Sequence, residues 1–266
     1  MASFVTLSIQ FLGTGTSTGV PVIGCDCPRC TSTDPRDRRL RSSVVFRHGE
    51  TTLLVDTTPD LREQALASGL RRVDGVLFTH AHADHTAGLD ELRSFNALQD
   101  EHIPIWATPE TGEELATRFA YAFADTFPRY GIKPDLTLHR IDGPFEVAGL
   151  TVTPIPIMHG WLPIVGFRIG DIAYLTDLKT IPDESLPLLQ NLDVLVVTAL
   201  RNTPHPAHLT IDEALVEIER LAPKRAYLTH ISHDFGLYRE VAPTLPEHVH
   251  IAIDGLTVDA DKQEHP

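Results

Sequence analysis

The chain has 266 residues, 42% of them hydrophobic, and its 22 lysines and arginines against 36 aspartates and glutamates give a formal charge of −14. That apolar content supplies one substantial core and excludes a disordered chain, and the length fits a single domain over 1–266. A surface this acidic repels nucleic-acid backbones and anionic membranes unless a local patch opposes it, so neither a long nucleic acid nor a membrane is expected as a partner, whereas bound cations would offset the charge locally.

The opening MASFVTLSIQFLGTG alternates almost at once, as in a strand, and lacks the basic and continuously apolar regions of a signal peptide. All three cysteines stand at Cys25, Cys27 and Cys30 in GCDCPRC, an odd number that cannot form a complete disulfide framework. A cytoplasmic protein is the expectation. Three thiols at this spacing form a knuckle one ligand short of tetrahedral zinc; His233 in THISH could complete a structural zinc site, and the alternative is three reduced thiols. The basic stretch Arg36–Arg41 either steers an anion or is a solvated surface segment.

Further along, strand-like runs SSVVFRHG, TTLLVD and VDGVLFTH alternate with helix-like segments at 60–68, 87–98 and 109–124. The segment 113–133 is aromatic-rich and reads as an insertion, either a lid or dimer contact or an ordinary amphipathic helix on the core. A second group follows: LTLHRI, EVAGLTVTPIPIMH, IVGFRIGDIAYLTD, LDVLVVTAL and RAYLTH, with a helix at 211–221 capped by Thr210. Two strand groups separated by surface helices predict a layered α/β/β/α sandwich.

The chemistry concentrates in FTHAHADHTAG. His80, His82, Asp84 and His85 follow an apolar strand, and Gly88 with small neighbours lets the backbone pack closely there. Imidazoles and a carboxylate suit Zn²⁺, Mn²⁺ or Fe²⁺, and four donors in six residues exceed what one metal with an open position takes from one segment. Two adjacent metals are therefore expected. His159, Asp177 and His230 each end a later apolar strand and supply further ligands.

These motifs resemble the metallo-β-lactamase superfamily, whose THxHxDH signature stands at Thr79–His85. The resemblance implies a four-layer αββα fold, one metal held by His80, His82 and His159, a second by Asp84, His85 and His230, and Asp177 bridging them. Asp56, ending TTLLVD, matches the aspartate that supports the cluster from behind. Aspartate at 177, where true β-lactamases carry cysteine, argues for a phosphoesterase or thioesterase, and His82 argues against redox di-iron members, which have glutamate there.

The GTGTSTGVPVIGCDCPRC opening together with THISH looks like the PhnP branch, phosphoribosyl 1,2-cyclic phosphate phosphodiesterases with catalytic Mn²⁺ and a Cys3His zinc. That resemblance implies a homodimer, a small phosphodiester substrate opened by metal-activated water, and His208 as the catalytic histidine. Arg201 and His205 share its loop and are candidates for phosphate or sugar contact. Alternatives are a tRNase Z-like ribonuclease, which the negative charge and the lack of a long basic arm disfavour, a thioester or lactone hydrolase, and a non-catalytic carrier.

Overall fold

The structure is a computed structural model that describes residues 6–124 and 133–260. The first sheet is built from β1 (Ser8–Gly13), β2 (Ser43–His48), β3 (Thr51–Val55), β4 (Gly75–Leu77), β5 (Ile103–Ala107) and β6 (Leu136–Arg140). The second holds β7 (Phe145–Val147), β8 (Leu150–His159), β9 (Leu162–Ile169), β10 (Ile172–Leu175), β11 (Val194–Thr198), β12 (Arg225–Thr229) and β13 (Val249–Ile251). The chain then returns as β14 (Thr257–Asp259) beside β1, so the orders are β14-β1-β2-β3-β4-β5-β6 and β13-β12-β11-β10-β9-β8-β7. Each sheet has an antiparallel half and a parallel half, β3 to β6 in one and β10 to β13 in the other.

Two-residue periodicity creates the layers. In β3, Leu53 and Val55 join Phe11, Phe46, Phe167 and Tyr174 between the sheets, while Leu54 turns outward against Leu61, Leu92 and Leu115. In β11, Val194 and Val196 face the same inter-sheet core, while Leu195 and Val197 meet Ala214 and Ile218 of the 211–221 helix. Each fully buried large side chain contributes roughly 1.5–3 kcal/mol. The result is the expected α/β sandwich with helices on both outer faces.

The α-helices among the described residues are α1 (Leu61–Ser68), α2 (Ala83–Thr86), α3 (Leu92–Gln99), α4 (Pro109–Arg118), α5 (Ala120–Phe123), α6 (Ile211–Leu221) and α7 (Tyr238–Val241). Thr210 does cap α6: its hydroxyl accepts from Glu213 N at 3.2 Å, and the Glu213 carboxylate accepts from Thr210 N at 2.8 Å. Two expectations shift. The helix expected at 87–98 begins only at Leu92, because Gly88 is wedged against the chain; a Cβ there would stand 2.0 Å from the Thr58 carbonyl oxygen. The helix expected at 109–124 breaks at Phe119, which leaves the helical region at φ −113, ψ 37.

Ahead of the site, the loop after β1 is tied down by a buried network. Thr14 donates to Asp254 Oδ1 at 2.6 Å and accepts from Arg39, whose guanidinium also reaches the Ala252 carbonyl, and Asp254 Oδ2 accepts from Leu40 N at 2.7 Å. Burial pushes the Asp254 carboxyl up to about 6 despite these bonds. A raised acid stabilises the fold while protonated. Its contribution is therefore present below its ordinary value of 3.8 and is lost as pH rises through about 6. Carboxyl-carbon NMR should find its midpoint near 6; a midpoint near 4 would mean that the carboxylate is solvated instead.

Candidate metal centre

Strands β3 and β4 deliver one wall of the site. Asp56 follows β3 in the left-handed region at φ 64, fully buried, and accepts three hydrogen bonds: from Thr79 N at 2.9 Å, Thr79 Oγ1 at 2.8 Å and His85 Nδ1 at 2.7 Å. With Nδ1 committed to Asp56, Nε2 is the nitrogen left for a cation, which would there take the place of a proton. Nε2 lies 3.3 Å from Asp84 Oδ2 and 3.1 Å from Asp177 Oδ2, in poor hydrogen-bond alignment with both. His80 is built alike, with Nδ1 3.0 Å from Thr79 Oγ1 and a buried Nε2 that has no hydrogen-bond partner. His82 is exposed and precedes the single turn of α2 that carries Asp84 and His85.

The second sheet delivers the opposite wall. His159 ends β8, and its Nδ1 sits 2.8 Å from the Ala207 carbonyl, which places the proton there and leaves Nε2 facing the cleft. Asp177 follows β10 at φ 56 and accepts from Thr176 Oγ1 at 2.8 Å. His230 follows β12 at φ 57, with Nδ1 3.2 Å from Asp177 Oδ2 and Nε2 3.1 Å from the Thr16 hydroxyl.

Donor atoms lie within 4.8 Å of one another in His80–His82–His159, in His80–His85–Asp177 and in Asp84–Asp177–His230. All seven expected ligands thus meet in one cleft, with Asp177 shared. The electrostatics match a cation site. Burial, reinforced by His85, drives the His80 imidazole well below the usual histidine range. Burial opposes charge on both His85 and Asp177. Nevertheless Asp177 and Asp56 hold His85 well above its usual value, and His230 with His85 holds Asp177 well below the carboxylate range. Orphaned Nε2 atoms on His80 and His85, surrounded by imidazoles and carboxylates, fit divalent Mn²⁺, Zn²⁺ or Fe²⁺.

His208 joins this cleft. Its ring stacks on His230, centroids 4.8 Å apart, and lies tilted against His159 at 4.5 Å, and Nδ1 is 4.0 Å from Asp177 Oδ1 with no hydrogen-bond partner. Burial, with His230 opposite, pushes it down to about 2, so the imidazole is neutral. His205 packs tilted against His208, with ring centroids 4.9 Å apart. Arg201 is spent on its own loop, donating to the Thr203 and Pro204 carbonyls at 3.1 and 3.0 Å. Three of the four arginines of the basic stretch are likewise engaged, Arg36 with Asp34 at 2.7 Å, Arg41 with Asp60 at 2.8 Å and Arg39 in the buried network, while Arg38 is exposed.

Of the segment 113–133, residues 125–132 lie outside the described residues. The part before them packs on the core, with Leu115 and Ala122 buried and Phe119 and Phe123 against the same cluster. Sequence reasoning missed Arg118, at the end of α4, which donates to the Ala81 carbonyl and braces the metal loop from outside. It also missed the threonines before the ligands. Thr79, Thr176 and Thr229 are all fully buried, and the recurring FTH, LTD and LTH was the available signal.

The cysteine knuckle also closes. His233 Nδ1 lies 3.3 Å from Cys25 Sγ and 3.6 Å from both Cys27 Sγ and Cys30 Sγ. A tetrahedron with Zn–S of ~2.3 Å and Zn–N of ~2.0–2.1 Å has S···N edges of about 3.5 Å, so the four donors fit zinc.

A family model described as beta-lactamase superfamily domain matches residues 51–231. A crystal structure of a new diphosphatase from the PhnP family superposes with a TM-score of 0.87 at 42% identity, covering 95% of this chain and 97% of that one. The chain belongs to the metallo-β-lactamase superfamily, in its PhnP-like branch. This PhnP-like protein is accordingly a metal-dependent hydrolase. It is also 39% identical, over 256 residues and 95% of its length, to an octanoyltransferase of Porphyromonas gingivalis, but it spans only 51% of that protein. The Zn²⁺-bound PqqB of Methylobacterium extorquens shares the fold at 21% identity, with a TM-score of 0.76 over 95% of this chain and 99% of that one. No helix among the described residues is long and apolar enough to cross a membrane.

Proposed function

We propose that this chain is a dinuclear phosphodiesterase that opens a small cyclic phosphodiester of the phosphoribosyl 1,2-cyclic phosphate type. The observation that carries the reading is the convergence of seven ligand side chains on one cleft, with the neutral ring of His208 stacked at its edge.

His80, His82 and His159 would hold one cation and Asp84, His85 and His230 the other, with the carboxylate of Asp177 within reach of both sets. Bound divalent metals supply Lewis acidity, bringing the pKa of water from ~15.7 toward ~7 and neutralising charge on the phosphoryl oxygens. Asp56 and the Ala207 carbonyl hold His85 and His159 with their Nε2 lone pairs aimed inward. A neutral His208 has one N–H to give, which suits gripping a phosphoryl oxygen. To protonate the leaving oxygen it must first be recharged by the substrate's own negative charge. The acidic surface supports a small substrate over a long RNA.

A panel with added Mn²⁺ tests this: ribose 1,2-cyclic phosphate, a 2′,3′-cyclic nucleotide, bis-p-nitrophenyl phosphate, a tRNA precursor and an octanoyl thioester. The cyclic phosphate should be turned over fastest, and His208→Ala should lower its kcat/KM by on the order of 10²–10⁴-fold. Turnover of the thioester alone would move the chemistry to a carbonyl carbon, a second reading that the P. gingivalis relative motivates.

A further inference from the structure

One buried side chain is explained neither by the metal cleft nor by the core. Arg29 lies inside the cysteine knuckle, between Cys27 and Cys30 in sequence, and is 3% exposed. None of its three guanidinium nitrogens has a hydrogen-bond partner. Its ion-pair partner, Asp37, stands off at 3.8 Å, and that carboxylate is already engaged by Ser32 Oγ at 2.6 Å and Tyr238 N at 2.8 Å. The guanidinium carbon lies 5.6 Å from the centre of the Phe235 ring, two residues beyond His233. Each buried, unmade hydrogen bond costs about 1–3 kcal/mol, and a buried charge costs more unless an opposite charge balances it.

The opposite charge is at hand. Three thiolates and a neutral imidazole around Zn²⁺ leave one net negative charge, in a place where Cys30 is buried and Cys25 and Cys27 are half-buried. Without a cation nearby, that excess would weaken metal binding. We propose that Arg29 is the counter-cation of the Cys25–Cys27–Cys30–His233 knuckle, so that the metallated centre and its arginine are together neutral. Phe235 and Asp37 flank the guanidinium, at 5.6 and 3.8 Å, and the charges of Cys30 and Cys27 act on it as well as that of Asp37. The role is electrostatic positioning, outside the catalytic cleft, and it rests on the reading that the knuckle holds zinc.

The test uses the full chain and Co²⁺ titration followed by Zn²⁺ displacement. Thiolate-to-cobalt charge-transfer absorption reports the knuckle alone, since the histidine–carboxylate cleft contributes none. Arg29→Met should weaken knuckle affinity by about 10–100-fold, as loss of an outer partner of a metal site does, and Arg29→Lys should restore most of it. Arg29→Gln, uncharged and polar, serves if the methionine variant does not fold. The decisive arm is a double-mutant cycle with Cys25→His, which makes the metallated knuckle neutral. There Arg29→Met should cost less than about threefold.

Equal losses in both backgrounds would show that Arg29 acts through packing and would overturn the proposal, as would unchanged affinity in Arg29→Met. Failure of the underlying reading looks different: the native chain would give no charge-transfer band that Cys27→Ser removes.

Discussion

Asp177→Asn is expected to abolish hydrolysis, lowering kcat/KM by on the order of 10³-fold or more while leaving the fold intact. The size follows from the several kcal/mol that a metal pair supplies to a phosphoryl transition state, at ~1.4 kcal/mol per factor of ten. Asp177 is the carboxylate that recurs among the donor groups, lying with His80 and His85 in one and with Asp84 and His230 in another, so its loss should touch both proposed metal positions. Asparagine is the clean replacement, because it tolerates the left-handed backbone at φ 56 that alanine would strain. The amide can still accept the Thr176 hydroxyl bond, seen at 2.8 Å in the native chain. Metal analysis of the purified variant should find fewer than two cations outside the knuckle. An Asp177→Asn chain that retained both metals and a third of native activity would remove Asp177 from the ligand set.

Most of the cleft was legible in the sequence because ligand spacing within one segment is set by local geometry alone. Four donors in His80–His85 can scarcely serve anything except a cation, and His159, Asp177 and His230 announce themselves by ending apolar runs. The layers were legible for the same reason: Leu53, Leu54 and Val55 alternate with the period of a strand. What escaped depends on tertiary contact. The late start of α3 follows from the Thr58 carbonyl pressing on Gly88, and Arg118 reaches the Ala81 carbonyl across 37 residues. No propensity foretells that Arg201, which looked free for a phosphate, would turn back onto its own loop. Nor does sequence show that His208 is stripped of charge by burial, since its unperturbed imidazole would titrate near ~6.5.

Backbone strain at the cleft is also invisible to pattern. Asp56, Asp177 and His230 take left-handed φ values of 64, 56 and 57 within two residues of the ends of their strands. Each such turn costs of order 1–3 kcal/mol for residues other than glycine, least where a short polar side chain can bond locally. The strain is tolerated because rigid strands β3, β10 and β12 hold the residues from behind. The buried threonines Thr79 and Thr176 then fix Asp56, His80 and Asp177 from the side. The same turns redirect side chains from the sheet face into the cleft, which joins strain directly to ligand geometry.

That logic makes Asp56→Asn the sharpest probe of the support behind the ligands. The native carboxylate accepts a hydrogen bond from His85 Nδ1 at 2.7 Å and so keeps the ring proton on that nitrogen, turning Nε2 to the cleft. An asparagine can still accept from Thr79 N, but it would turn its amide N–H toward His85 and the Thr79 hydroxyl, which share the other oxygen in the native chain. Nδ1 would then have to accept, the ring proton would move to Nε2, and the lone pair aimed at the metal would vanish. The substitution touches no proposed metal position directly, yet it should weaken metal binding by about 10–100-fold and reduce activity at limiting Mn²⁺ by a similar factor. Because Asn accepts φ 64 and is nearly isosteric, the fold should melt within a few degrees of native. Asp56→Ala should fare far worse, leaving Thr79 N–H, Thr79 O–H and His85 Nδ1–H buried without partners at about 1–3 kcal/mol each. Mn²⁺ titration calorimetry and activity assays across Mn²⁺ concentrations separate the two effects. High Mn²⁺ should recover much of the Asp56→Asn activity by mass action, whereas native affinity in that variant would show that His85 is oriented by something other than Asp56.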